Sequence, residues 1–160
     1  MDKHEERYMW VALTVVIVGT FMAILDSSIV NVAIPKLMTI FKVSTDQIEW
    51  ILTGYMLTMS IVIPFTGYLG DRFGIKKLYI FALTVFTIGS ALCGLSTSID
   101  TMIAARVVQA IGGGMIMPVG MAMIYQIVPL EKRGLALGVW GISAMAAPAI
   151  GPTLSGYIIQ

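Results

Sequence analysis

WVALTVVIVGTFMAILDSSIVNVAI, residues Trp10 to Ile34, carries one charge, Asp26, in a run otherwise suited to hydrocarbon. A bilayer core about 30 Å thick is crossed by roughly 20 apolar helical residues. The run meets that length, is too long for the core of a signal peptide, and lacks a convincing cleavage site, so it reads as a permanent membrane helix. Three further runs carry no charge at all: Trp50 to Leu69, Leu78 to Ile99 and Gly134 to Gln160. A fifth, Thr101 to Val128, holds only Arg106. Hydrophobic residues make up 58% of the chain and charged ones 12%, and mean hydropathy is +0.89, outside the range of soluble domains. Alternating ten-residue strands are absent, which speaks against a β-barrel. The sequence predicts an all-α membrane protein with five spans, over about 9–34, 48–69, 77–96, 101–127 and 134–159.

Loop charges orient these spans. Lys3 and Arg7 precede the first, Arg72, Lys76 and Lys77 separate the second and third, and Lys132 and Arg133 separate the fourth and fifth. On the other side stand only Lys36 and Lys42, which places the N-terminus in the cytoplasm. Ser44 and Gln47 form a capping-box pattern that opens the second span and sets an outer loop at about Pro35 to Thr45.

Several function classes find no support. Net charge is +1 and no basic stripe is interleaved with aromatics, so nucleic acid is not an expected partner. Cys93 is a single cysteine in an apolar run, read as a small packing residue. No G-x4-G-K-[ST] sequence offers an ATP site. Gly112 to Gly114 follow no strand, so a dinucleotide site is not credible. His4, the single histidine, lies in the polar N-terminal stretch, and no metal or nucleophile constellation can be built from it. An enzyme is not expected, nor is a cofactor.

The candidate chemistry is the pair of intramembrane charges. If the first span ends near Ile34, Asp26 lies roughly 12 Å below the outer surface, and Arg106 roughly 9 Å below it on the fourth. The two can therefore meet. Each alone costs about 2.5 to 3.5 kcal/mol near a helix centre on insertion scales, so both should face protein or a wet cavity rather than lipid. Gln109, one turn from Arg106, can add a hydrogen bond. The alternatives are a structural ion pair that specifies packing and a titrating site. The second has a basis because burial and a nearby guanidinium act on a carboxylate in opposite directions.

Four ordered motifs carry a resemblance over about Trp10 to Ile159. LDSSIVNVAIP in the first span, GYLGDRFGIKK after the second, RVVQAIGGG in the fourth and the glycine-proline stretch of the fifth together resemble the major facilitator superfamily, and within it the fourteen-helix drug:proton antiporters. The loop sequence matches G-x-L-a-D-r-x-G-r-k at Gly67, Leu69, Asp71, Arg72, Gly74 and Lys76, with Ile75 in place of a usually basic residue. The resemblance implies a cytoplasmic gating loop whose aspartate engages a helix terminus. The bare alternative is a tight turn with positive-inside anchors. Arg106 is carried over as a proton-relay residue with Gln109 beside it, Ala110 standing where the motif has glycine, and Asp26 falls on the aspartate linked to proton coupling or cationic substrates.

The fifth span places Gly138, Ala147, Gly151, Pro152, Ser155 and Gly156 on the antiporter motif G-x8-G-x3-G-P-x-x-G-G, with Ala147 and Ser155 in two glycine positions. From spacing alone, Ala147, Gly151 and Ser155 form a small-residue seam that admits another helix. Pro148 and Pro152 each remove a backbone donor. The resemblance implies a gating hinge.

What the resemblance implies as a whole is proton-coupled efflux of lipophilic or cationic drugs by alternating access, driven by the proton gradient, in a bacterial cell membrane. The partners would be the lipid bilayer and a lipophilic small molecule. Superfamily members are built from three-helix inverted repeats. Five spans therefore suggest an incomplete N-terminal six-helix half whose C-terminal half is missing, and transport is expected only of the complete permease. Two other readings stay open: a non-transporting fragment that associates with a full-length permease through the fifth span's seam, and a transporter of a different small molecule.

Overall fold

Lys3 to Phe41 form one continuous helix, α1, about 58 Å long at the usual rise per residue. The computed structural model that shows this describes residues 3–159, so Gln160, the last residue of the uncharged run from Gly134, lies outside the described residues. The expected end near Ile34 is corrected. Pro35 removes one backbone donor, yet the helix continues because Leu37, Met38 and Phe41 pack against the buried Ile48, Ile51 and Met102. Burial of that apolar surface offsets one lost hydrogen bond. The outer loop shrinks accordingly to residues 42–44. Lys42 takes a left-handed turn (φ 55°) and the Val43 amide bonds back to the Met38 carbonyl at 3.3 Å, closing the helix end. Asp26 therefore lies about 22 Å from the outer end of its helix rather than about 12 Å.

A single turn, α2 (Thr45–Ile48), follows, and the Ser44 amide donates to Gln47 Oε1 at 3.2 Å as the capping pattern requires. Then come α3 (Trp50–Phe73), α4 (Ile75–Gly94), α5 (Ile99–Ile127) and α6 (Leu130–Ile159). α3 runs past the expected end at 69 and α4 starts at 75 rather than 77, so the chain turns between them on Gly74 alone, at φ 86°. α5 begins earlier than 101 because Ser98 caps it. The Thr101 amide donates to Ser98 Oγ at 3.3 Å and the Ser98 amide to Thr101 Oγ1 at 3.1 Å. This is a reciprocal cap with threonine in the usual Glu or Gln position. α6 starts at Leu130 rather than 134, immediately after Pro129.

α5 is the axis of the bundle: 61% of its most apolar window is buried, against 17–33% in the other four long helices. It packs along α4 and α3 and against α1, while α6 lies mainly on α1. The inner cluster joins Leu13 and Val16 of α1 to Tyr79 and Phe86 of α4 and Ile116 and Ile124 of α5. The outer cluster gathers around Ile48, Ile51 and Met102. Two polar ties cross the inner half. The Tyr79 hydroxyl donates to the Val15 and Val16 carbonyls at 3.4 and 3.3 Å, in space left by Gly19, and Trp140 Nε1 donates to the buried Thr20 Oγ1 at 3.1 Å. Large apolar side chains cover the outward faces, Met56, Ile61 and Phe65 on α3 and Leu135, Ile142 and Met145 on α6 among them. In water such a surface would aggregate. In lipid it is a solvated face, and all five long helices have the length and composition to span.

Candidate functional site

Between the two apolar clusters lies a polar one. On α1, Asp26 comes between Ala23 of the inner cluster and Val30 of the outer one. Its carboxylate turns inward to α5, where Arg106 Nη1 donates to Oδ2 at 2.6 Å and Gln109 Nε2 donates to Oδ1 at 2.9 Å. Arg106 Nη1 also donates to Gln109 Oε1. The three residues thus close a ring in which each bonds the other two. Arg106 and Gln109 meet because i and i+3 share a helix face. Asp26 meets both because α1 and α5 cross there.

Burial is unequal around this ring. The Arg106 side chain is 1% exposed and that of Asp26 is 21% exposed. A guanidinium so enclosed depends on its counter-charge, since removing one partner of a buried pair leaves a penalty of about 3 to 5 kcal/mol. The carboxylate is the member that touches open space. Asp26 is thus the more accessible member of the pair, and Arg106 is enclosed behind it.

Two further residues complete the surroundings, and sequence reasoning missed both in this role. Tyr55 of α3 is buried, and the Arg106 guanidinium carbon lies 4.2 Å from the centre of its ring. Cys93 of α4, read from sequence as a packing residue, brings its sulfur 3.8 Å from Gln109 Oε1, as a weak donor. The only signal in the sequence was the i, i+4 spacing of Ile51 and Tyr55, which marks a buried face without saying what it faces. The glycine run, which the sequence presents as part of the RVVQAIGGG motif and not as a dinucleotide site, is a packing junction. A Cβ at Gly112 would strike the Ala82 carbonyl and Phe86 nitrogen of α4. At Gly113 it would come 2.6 Å from the Tyr55 hydroxyl, and at Gly114 3.4 Å from the Met59 backbone of α3.

The expected gating loop is mostly not a loop. Gly67, Asp71 and Arg72 lie on α3, Lys76 lies in the first turn of α4, and only Gly74 stands between helices. Asp71 is exposed, without a salt-bridge partner among the described residues, and borders a cleft with Gly67, Gly70, Pro118 and Ala122. Arg72 Nη1 donates to the Tyr68 hydroxyl at 2.7 Å, and the Lys76 ammonium lies 5.5 Å from the centre of the Tyr8 ring on α1. On the same side Lys132 pairs with Glu6 at 2.6 Å, tying the start of α6 to the start of α1.

On α6 the expected hinge residues divide between two faces. Ala147, Gly151 and Ser155 are buried, and a Cβ at Gly151 would meet Ser28 Cβ of α1 at 2.5 Å. Gly138, Pro152 and Gly156 are exposed. The backbone stays helical through Pro148 and Pro152. The seam, which from spacing alone admits another helix, receives α1 of the same chain.

Comparison with known proteins agrees with this architecture. The family model described as Major Facilitator Superfamily matches residues 16–160. The chain is 45% identical over 148 residues to the uncharacterized MFS-type transporter YhcA of Bacillus subtilis, covering 92% of this chain and 28% of that protein. It is 36% identical to the riboflavin transporter RibZ of Clostridioides difficile (96% and 34% covered) and 38% identical to the probable multidrug resistance protein EmrY of Escherichia coli (94% and 29%). The crystal structure of a bacterial homolog of the human lysosomal transporter Spinster, inward-facing and unoccupied, superposes with a TM-score of 0.79. Its identity is 22%, and the match covers 98% of this chain and 32% of that one. This chain spans about a third or less of the length of these relatives. It belongs to the Major Facilitator Superfamily, a family of multi-pass membrane transporters, and has their fold over its five long helices.

Proposed function

We propose that this chain supplies the proton-coupling part of a drug:proton antiporter that exports lipophilic or cationic compounds by alternating access. Transport itself is the activity of the complete permease, and the relatives are about three times as long as this chain. The observation that carries the reading is the unequal burial of the Asp26–Arg106–Gln109 ring. A proton arriving on Asp26 cancels the counter-charge of an enclosed guanidinium. The resulting penalty favours a rearranged state, and a ligand or proton shifts a two-state equilibrium only through such differential interaction. Proton and cationic substrate then oppose each other at one site, each promoting release of the other. Inward proton movement contributes about 2.3 kcal/mol per charge per 100 mV. The probable multidrug resistance protein among the relatives supports the substrate class, the alternating Lys and Arg content supports a cytoplasmic N-terminus, and the bacterial sources of the relatives support a bacterial cell membrane.

A second reading keeps the coupling and changes the cargo, because the riboflavin transporter is about as similar as the multidrug protein. One experiment tests both. Export of a lipophilic cation and of riboflavin is followed in proteoliposomes with an imposed pH gradient, using the complete permease with and without Asp26→Asn. Loss of gradient-driven export of the cation supports the leading reading. Full export by Asp26→Asn would overturn it, and gradient-driven export of riboflavin alone selects the second.

A further inference from the structure

We propose that Tyr55 is a positioning residue for the Asp26–Arg106 pair, and that Gly113 is the gap that lets its ring lie there. Arg106 is almost fully enclosed, and its Nε has no hydrogen-bond partner among the described residues. Hydrogen bonds from Nη1 to Asp26 and Gln109 fix one corner of the guanidinium. They leave its plane free to pivot. The Tyr55 ring closes that freedom, since a cation 4.2 Å from the ring centre in a buried setting is held by the negative face of the π-system. Tyr55 comes from α3, Asp26 from α1 and Arg106 from α5, so the ring also joins a third helix to the charge pair.

Gly113 explains how a tyrosine fits. The Tyr55 hydroxyl lies over Gly113 of α5, where a Cβ would come 2.6 Å from the oxygen but 3.5 Å from the ring carbon Cζ. The conflict is thus with the hydroxyl alone. An alanine at 113 would push the tyrosine off the guanidinium, and removing the hydroxyl would let the ring return. The middle glycine of the run serves the charge pair through Tyr55, while its neighbours serve helix packing.

This inference rests on the coupling reading only in its transport consequence, so its test has two arms. In the first, the 160-residue chain in lipid is treated with dicyclohexylcarbodiimide, an apolar reagent for membrane-embedded carboxyl groups, and modification of Asp26 is timed by peptide mass spectrometry. Tyr55→Leu is expected to speed modification about 2- to 30-fold, the span a cation–π contact supports. Tyr55→Phe, which keeps the ring face, is expected to stay within about twofold of the parent chain. Gly113→Ala should speed modification as Tyr55→Leu does, and adding Tyr55→Phe to Gly113→Ala should bring the rate back. The proposal is overturned if Tyr55→Phe behaves like Tyr55→Leu, if Gly113→Ala leaves the rate unchanged, or if the double variant is not rescued. Should Tyr55→Leu fail to fold, the Gly113→Ala pair decides alone. In the second arm, Tyr55→Leu in the complete permease should lose gradient-driven export and Tyr55→Phe should keep it. Faster modification of Asp26 with export intact upholds the positioning role and overturns the coupling reading instead.

Discussion

Gly89 of α4 lies directly on the backbone of Gln109, with no room for a side chain between the two helices. The amide that braces Asp26 is thus mounted at the closest approach of α4 to the central helix. A methyl group at 89 would collide with Gln109 Cα and N, which belong to a rigid helix and cannot turn aside as a side-chain end can. Gly89→Ala is expected to cost about 1 to 3 kcal/mol, the usual effect of overpacking a filled core. It should also open the Gln109–Asp26 bond. Gly138→Ala is the control, since nothing lies within 4 Å of that position, and it should be neutral or slightly stabilising because alanine is the better helix former. Thermal unfolding of the two variants in detergent checks the contrast, and equal melting shifts would contradict it.

Arg106→Lys distinguishes a planar cation from a point charge. One Arg106 nitrogen serves both Asp26 and Gln109 while the guanidinium plane lies on Tyr55. A lysine keeps the charge and can donate to both partners from one nitrogen, but it loses the planar stacking on Tyr55. Arg106→Lys is expected to fold with a loss of about 0.5 to 2 kcal/mol, the worth of the contact with the Tyr55 ring. Arg106→Ala, which strands Asp26 unpaired, should lose about 3 to 5 kcal/mol. Chemical denaturation in micelles measures both, and an Arg106→Lys variant as weak as Arg106→Ala would contradict the argument that the retained charge carries most of the pairing.

The Asp26–Arg106 meeting was legible in the sequence because an isolated charge in a hydrocarbon-length run has few tolerable surroundings, and two such charges at similar depth satisfy each other. Their depth was less well read, since the end of α1 was inferred from Pro35. The apolar Leu37, Met38 and Phe41 that carry the helix past it pack on residues distant in sequence. The boundaries at Gly74 and Ser98 were displaced by a few residues for the opposite reason: local cap geometry, not hydropathy, sets where those helices stop and start. Tyr55, Gly89 and Gly113 left no trace in hydropathy because their importance lies in which helix each one faces. That depends on the crossing of α3, α4 and α5, and no single run of sequence contains it.

Gly74→Ala tests the turn between α3 and α4. At φ 86° the backbone lies where only glycine is comfortable, and its amide bonds the Gly70 carbonyl at 2.9 Å, so the turn cannot relax without losing that bond. Nothing lies within 4 Å of its missing Cβ, so any effect comes from backbone conformation and not from crowding. A loss of about 1 to 3 kcal/mol is expected, the cost of a residue in a sparsely populated region. Hydrogen exchange should show it as faster opening of the last turn of α3 and the first of α4, with α6 unaffected. Uniform protection across the variant would contradict the argument.

On the α6 seam, two substitutions one turn apart should act in opposite directions. Ser155 is wholly buried, and its hydroxyl finds no hydrogen-bond partner among the described residues, so that polar atom is held out of water or headgroups without compensation. Ser155→Ala removes it with almost no change in volume, and should stabilise the chain by about 1 to 3 kcal/mol, the penalty of an unsatisfied buried group. Gly151→Ala adds a methyl group where Ser28 Cβ would be only 2.5 Å away, and should destabilise by about 1 to 3 kcal/mol by prising α6 from α1. If the seam faced lipid, neither change would register beyond helix propensity, which favours alanine over glycine and serine alike. Both variants would then be slightly more stable. Opposite signs in parallel detergent melts therefore locate α1 against Gly151, whereas matching signs would put that face outside the bundle.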